Sequence, residues 1–266
     1  APYDWDSCER ELGLIRGDRS EKPVLKEMGK FGALLRSLPL PALPPRRAEA
    51  VCILTEGQDA WGAAYGTFIL AKQAGFDLAF QYADQPLKPA MLYLAPSLRG
   101  TRSFSRRFWL ELLQRVSAGA TLYLSHDDCL LSPVNTPFGV EIQTRARNSE
   151  LIEWRMDEIE SGLRLRVRPP FRLELKTLSA VPLGREEGGN PALTRAAYGE
   201  GQIYFLTAPI EMELIHAPGS FYGPQAQPFW KIYRHIAAPF LQDRAVQKED
   251  APQVGVTEHP LEDGRR

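Results

Sequence analysis

The sequence predicts an α/β fold in which a parallel sheet is wound with helices and an antiparallel β region is appended. Continuous apolar runs of strand length, such as 50–55 and 121–126, alternate with helix-length segments that end at glycine. Residues 138–181 instead alternate apolar and polar side chains, which is typical of antiparallel strands with one solvated face. The length of 266 residues suits one or two domains with a sizeable core.

The parallel sheet is predicted from five buried strands and the helices between them. The strands are placed at 51–55, 77–83, 91–96, 121–125 and 203–207. One helix is predicted at 61–75, with Asp59 as its N-cap, and another at 104–119, and a glycine closes each of them. A hairpin that turns at 199–201 leads into the fifth strand, and a helix over 228–241 closes the domain.

A single amphipathic helix precedes this region. It is predicted to begin at Ser20 as its N-cap, with Pro23 in the first turn, and to end near residue 37. Its apolar side chains recur at helical spacing and are Val24, Leu25, Met28, Phe31, Leu34 and Leu35. This stripe must pack on the next domain or on protein outside this chain. The proline-rich residues 38–48 then predict an extended linker.

Composition and charge narrow the classes of function. The net charge of −1 gives the chain no field that would attract nucleic acid or a membrane surface, and no apolar run reaches transmembrane length. The cysteines, Cys8, Cys52 and Cys129, are widely spaced and form no CxxC motif and no cluster with histidine. We therefore expect no metal site, no cofactor and no disulfide framework, and reduced thiols favour a cytoplasmic protein.

Two stretches of the sequence resemble parts of a known enzyme family. Residues 9–28, "ERELGLIRGDRSEKPVLKEM", resemble the end of a (β/α)8 glycoside hydrolase barrel, although Asp18-Arg19-Ser20 replaces the Asp-Gly-Ser of that pattern. The run from "AVCILTEGQDAWG" at residue 50 to "GQIYFLTAPIE" at residue 201 resembles the domain that follows the barrel in family 42 β-galactosidases. The closing "VTEHPLEDGRR" resembles the entry to the small β-sandwich at the end of such enzymes.

The resemblance implies a domain organisation and a function. Residues 1–37 would be the end of the barrel, and 49–245 a flavodoxin-like domain close in fold to class I glutamine amidotransferases. Residues 246–266 would be a tail that leads to a β-sandwich outside this chain. The chain would then be a non-catalytic assembly portion of a glycoside hydrolase acting on β-glycosides, with its catalytic glutamates on the barrel. Its partners would be the rest of its own polypeptide and further copies, a trimer in that family, with carbohydrate bound through the barrel.

The end of the fourth predicted strand carries the residue types of nucleophilic catalysis. In amidotransferase-like domains the nucleophilic cysteine sits in a Gly-x-Cys-x-Gly elbow, but "SHDDC" at 125–129 has no such glycines. Glutaminases also place a histidine and a glutamate two residues apart later in the chain, and "EMELIH" at 211–216 lacks that spacing. We therefore expect no catalytic residue here. The polar side chains at these strand ends could instead form a ligand edge of the sheet, comprising Glu56, Ser97, His126 and Asp127.

Other candidate residues have two interpretations each. Tyr3, Asp4, Trp5 and Glu9 fit a sugar-binding rim, or a packed aromatic cluster with solvated acids. The pairs Glu9/Glu11 and Glu211/Glu213 would share a face if they lay in strands, as glycosidase carboxylates must, but neither pair is assigned a role. His235 is predicted to pack in the last helix. The alternative function is a self-standing amidotransferase-like enzyme or a small-ligand-binding domain that uses the strand ends near Ser97 and His126.

Overall fold

A computed structural model describes residues 13–38, 43–101, 103–129, 135–216, 219, 221, 223 and 226–261. The chain divides into two compact units, one as far as Pro45 and one from Arg46 onward. None of the described helices is both long and apolar enough to cross a membrane.

The first unit contains one helix, α1 (Pro23–Ser37). Pro23 occupies the first helical turn as predicted, but the N-cap is Lys22 rather than Ser20, so that prediction was wrong. The reason is local, because the Ser20 amide and hydroxyl both donate hydrogen bonds to Asp18 Oδ1, at 2.9 and 2.6 Å. No residue of α1 is buried, and its apolar stripe is largely exposed.

The second unit is built on a nine-stranded mixed sheet. The described strands are β1 (Ala50–Leu54), β2 (Leu78–Tyr82), β3 (Leu92–Gly100), β4 (Thr121–Cys129), β5 (Val140–Arg147), β6 (Ile152–Arg155), β7 (Arg164–Val167), β8 (Phe171–Thr177), β9 (Val181–Glu186), β10 (Pro191–Tyr198) and β11 (Gly201–Leu206). The order in the large sheet is β2-β1-β3-β4-β11-β10-β9-β6-β7, and β5 pairs separately with β8. The first five strands in this order, β2, β1, β3, β4 and β11, are parallel to one another. They coincide with the five strands predicted from the sequence.

Helices cover both faces of the parallel strands. The further helices are α2 (Ala60–Ala74), α3 (Arg106–Ser117), α4 (Asn135–Phe138), α5 (Ile210–His216) and α6 (Trp230–Leu241). Alternate residues of β1 enter two different core clusters. Cys52 packs on the side of α2, α5 and α6, whereas Ile53 packs on the side of α3. Because both faces are buried, the strands read as uninterrupted apolar runs, which made them visible in the sequence.

Two helix ends of the second unit confirm the predicted capping residues. The Asp59 carboxylate accepts a hydrogen bond from the Gly62 amide at 2.9 Å and so caps α2. Gly75 ends the same helix in the left-handed conformation, with φ at 98°. The hairpin at 199–201 also forms as predicted, because Tyr198 pairs with Gly201 across the turn between β10 and β11.

The antiparallel strands are an insertion between β4 and β11. One part, β5 and β8, forms a two-stranded sheet of its own. The other part, β10, β9, β6 and β7, extends the edge of the parallel sheet beyond β11. The insertion therefore leaves the parallel strands adjacent in space while it adds walls around their carboxyl ends.

The segment after α6 lies back along α2. The Lys248 ammonium donates to the carbonyl oxygens of Lys72 and Gln73, both at 2.9 Å, and Lys72 Nζ donates to Val256 O at 3.1 Å. Arg244 is buried and donates to Glu49 Oε1 at 3.0 Å. These contacts make the segment part of the second unit as far as residue 261.

Candidate active site

The carboxyl ends of the parallel strands form the edge at which such sheets bind ligands. Of the four residues predicted for a ligand edge, Ser97 ends up in a buried polar network, and His126 is buried beside the end of β4. Asp127 lines a cleft on this edge. Glu56 is exposed and lines a second cleft with Asp84 and Arg107. The structure therefore does not bring all four residues into one site.

The centre of the buried network is the carboxylate of Glu211 on α5. Its Oε1 accepts hydrogen bonds from the hydroxyls of Tyr123 at 2.8 Å and Tyr233 at 2.7 Å. Its Oε2 accepts from the hydroxyls of Ser97 and Ser125, both at 2.7 Å. Four hydrogen bonds from hydroxyl groups thus satisfy the two oxygens of this fully buried side chain, with no cation among their donors. The network joins β3, β4, α5 and α6 beneath the sheet edge.

Ser97 sits at a strained turn within β3, where the pairing with β4 shifts register between Ala95 and Leu98. Its φ is +46°, the left-handed region that is unfavourable for a residue with a Cβ. The Ser97 amide donates to Ser125 Oγ at 2.6 Å, and this bond holds the turn in place. The side chain is only 1% exposed and its hydroxyl is directed at Glu211, so it cannot attack a bound substrate.

Cys129 and His126 lack the geometry of a nucleophile and its base. Burial raises the pKa of the Cys129 thiol to about 12, and burial lowers the pKa of His126 to about 4. Both side chains are therefore neutral near pH 7. His126 Nε2 lies 3.3 Å from the carbonyl oxygen of Cys129, and no described residue provides a hydrogen bond to Nδ1. These features support the expectation that Cys129 is not a nucleophile.

The cleft on this edge has a volume of about 910 Å³ and brings charged side chains together. Asp127 from β4 and Glu213 from α5 both line it, and burial raises the pKa of each carboxyl. Arg99, beyond the β3 turn, and His216, at the end of α5, counteract that rise at Asp127. Glu213 Oε1 also accepts the Arg168 amide hydrogen at 2.8 Å.

Glu211 and Glu213, which would share a face if they lay in a strand, do not lie in one. Both residues lie on the short helix α5, where side chains two positions apart point in different directions. Glu211 points into the core and Glu213 lines the cleft. The sequence held no signal for the Glu211 network, because its four donors come from positions 97–233 and none is adjacent to another in the chain.

The remaining candidate residues from the sequence either lie outside the described part of the chain or have a packing role. Tyr3, Asp4, Trp5, Glu9 and Glu11 lie outside the described residues. His235 is half-buried and packs edge-on against Tyr204, with ring centroids 6.2 Å apart, as expected of a packing residue. The described part of the chain contains no group of three or more His, Cys, Asp or Glu side chains that could hold a metal ion.

The described fold matches solved structures. The β-galactosidase from Rahnella sp. R3 shares 16% identity over 92% of this chain and 39% of its own, with a TM-score of 0.66. The exo-β-1,4-mannosidase Op5Man5 from Opitutaceae bacterium strain TAV5 shares 16% identity over 86% of this chain and 42% of its own, with a TM-score of 0.62. A catalytic mutant of Gan42B, a GH42 β-galactosidase from G. stearothermophilus, shares 15% identity over 81% and 36%, with a TM-score of 0.58.

At these identities the matches show a shared fold. Searches against protein-family models and against curated proteins found no match. The chain spans about two fifths of the length of the solved glycosidases that it resembles.

Proposed function

We propose that this chain is a non-catalytic assembly portion of a glycoside hydrolase that acts on β-glycosides. The observation that carries the proposal is the extent of the fold match, which takes in 92% of this chain but only 39% of the Rahnella β-galactosidase. The candidate active site agrees with it, since Ser97 is buried against Glu211 and Cys129 is held as a neutral thiol. In this proposal the two catalytic glutamates lie on a barrel encoded before residue 1.

The architecture supports the finer parts of the proposal. The five parallel strands follow the order 2-1-3-4-5 when they are counted along the chain, which is the order of flavodoxin-like folds. We propose that α1 is the closing helix of the barrel and that its exposed stripe packs there. The flavodoxin-like unit then supplies contacts between subunits of a homo-oligomer, a trimer if it follows the resembled family.

A pair of assays tests the proposal. The isolated chain is expected to release no p-nitrophenol from p-nitrophenyl β-D-galactopyranoside or β-D-mannopyranoside. Coexpression with the polypeptide encoded upstream of Ala1 is expected to produce that activity. The proposal would be contradicted if the isolated chain hydrolysed either substrate. In that case Glu213→Gln should abolish the activity, and the exposed-loop control Glu187→Gln should retain it. An upstream reading frame that encodes no barrel would also contradict the proposal.

The alternative is an amidotransferase-like enzyme, and one observation favours it. Ser97 adopts a left-handed conformation within the parallel strand β3, as nucleophiles in strand-to-helix elbows do, and its hydroxyl would have to leave Glu211 Oε2 before it could react. The test is a glutaminase assay on the full chain. Ammonia release that disappears in Ser97→Ala or Cys129→Ala would establish the alternative, whereas we expect none to be released.

A further inference from the structure

The cleft on the sheet edge is lined by a carboxylate that is largely covered by protein and keeps its access to the cleft. Asp127 is 7% exposed, yet its side chain accepts no hydrogen bond from the described residues. The ionisable side chains around it are Arg99 and His216, which line the same cleft, and Glu211 behind it. With no donor among the described residues, the Asp127 carboxylate can accept a hydrogen bond from a ligand group that replaces the water in the cleft.

The arginines of the cleft are also available to a ligand. Arg99, Arg147 and Arg168 line the cleft, and none of these guanidiniums lies within ion-pair distance of a described carboxylate. Asp128 differs, because it pairs with Arg145, whose guanidinium lies 3.8 Å from the ring centroid of Phe171.

The walls of the cleft are held by contacts within the second unit. Asn148 donates to the carbonyl oxygens of Glu150 and Pro169, both at 2.9 Å, which joins the end of β5 to the start of β8. Met212 and Phe171 add apolar surface to the lining. The loops that form the cleft walls are therefore held before any ligand arrives, and the three arginines line the cleft as exposed side chains.

The carboxylates, guanidiniums and apolar side chains that line the cleft indicate which kind of ligand it would bind. An anion would be repelled by Asp127 and Glu213, and a cation by the three arginines. Hydroxyl groups both donate and accept hydrogen bonds, so a polyhydroxylated ligand satisfies the carboxylates and the guanidiniums together. A pyranose also offers C–H faces for the apolar walls, and a cleft of about 910 Å³ is large enough for a short saccharide.

We propose that the cleft lined by Asp127, Glu213 and the three arginines is a binding site for a short neutral saccharide. It is separate from any catalytic site on a barrel and needs no catalysis of its own. The choice of a saccharide over other polyols rests on the proposed function. The site then holds carbohydrate next to the enzyme that hydrolyses it.

Isothermal titration of the full chain with lactose and with β-1,4-mannobiose tests the proposal. We expect a dissociation constant of about 1 mM or tighter for one of them. Asp127→Asn and Arg147→Gln are each expected to weaken binding by about tenfold, the usual effect of losing one charge-assisted hydrogen bond. Glu187→Gln, on an exposed turn away from the cleft, is expected to bind like the wild type. Circular dichroism melting curves confirm that each variant is folded.

Three results would overturn the proposal. The first is the absence of binding by either sugar up to about 10 mM. The second is binding that neither Asp127→Asn nor Arg147→Gln weakens. The third is binding of L-glutamine or inorganic phosphate in place of the sugars. Each is distinct from a failure of the proposed function, which is read from turnover and from the upstream reading frame.

Discussion

At the scale of single residues, Glu211 organises the region beneath the sheet edge. Glu211→Ala removes the acceptor of four buried hydroxyls and leaves a cavity. We expect the free energy of unfolding to fall by about 3 kcal/mol or more. Glu211→Gln keeps one carbonyl oxygen and should cost less. Urea unfolding measures both, with Glu187→Ala as the surface control, and a loss below about 1 kcal/mol for Glu211→Ala would contradict this role.

His126 should make stability depend on pH. Burial lowers the pKa of His126 to about 4 in the folded state from its usual 6.5, so the unfolded state binds more protons between these two pH values. The contribution of His126 to stability is therefore complete above pH 6.5 and is lost as the pH falls toward 4.

A His126→Phe variant isolates that contribution. It should lose less stability than the wild type between pH 7 and pH 4.5, whatever its stability at pH 7. The comparison is needed because the raised pKa values of Asp127 and Glu213 act in the opposite direction. Equal slopes of unfolding free energy against pH in the two proteins would show that His126 is not responsible.

At the scale of elements, α1 carries an exposed apolar stripe. Val24, Met28, Phe31, Leu34 and Leu35 are 48% to 60% exposed, and burying each such side chain is worth roughly 1.5–3 kcal/mol. We therefore expect the isolated chain to self-associate through this helix. Light scattering should show a smaller assembly for Met28→Lys/Phe31→Lys, while Lys26→Gln should leave the size unchanged. A wild-type monomer would refute the prediction.

Elements were predictable where one physical signal dominated. The five parallel strands are buried on both faces, so their apolar runs stand out, and the caps at Asp59 and Gly75 follow from backbone chemistry. The prediction of Ser20 as the N-cap of α1 was wrong because the Ser20 amide and hydroxyl both donate hydrogen bonds to Asp18. The division of the antiparallel strands into two sheets depends on contacts between distant residues, which periodicity does not encode.

The candidate site could be predicted only in part, for the same reason. The topology of a parallel sheet places Ser97, His126 and Asp127 at one edge, and the sequence shows where each strand ends. Whether a side chain near the end of a strand points into the core or into the cleft depends on a local bulge, a turn or a short helix. Glu211 and Glu213 illustrate this, because the two glutamates are separated by one residue yet one is in the core and the other in the cleft.

At the scale of the whole molecule, a buried ion pair joins the two ends of the second unit. Arg244, after α6, donates to Glu49, which directly precedes β1. Arg244→Ala would leave that buried carboxylate with Arg47 and the Asp77 amide as its described partners, and we expect a loss of about 3 kcal/mol in urea unfolding. The exposed pair of Arg234 and Asp250 provides the control, and Arg234→Ala should cost less than about 1 kcal/mol. Equal costs would contradict the prediction.

The same junction affects the order in which the protein can fold during synthesis. Glu49 leaves the ribosome long before Arg244, its partner, and before Glu258, a second carboxylate that pairs with Arg47 and Arg244. The fifth parallel strand is likewise made only after the whole antiparallel insertion has been translated. In the nascent chain Glu49 therefore lacks Arg244, and this junction is complete only after translation has passed residue 258. Chaperone dependence during expression is a natural consequence of that delay.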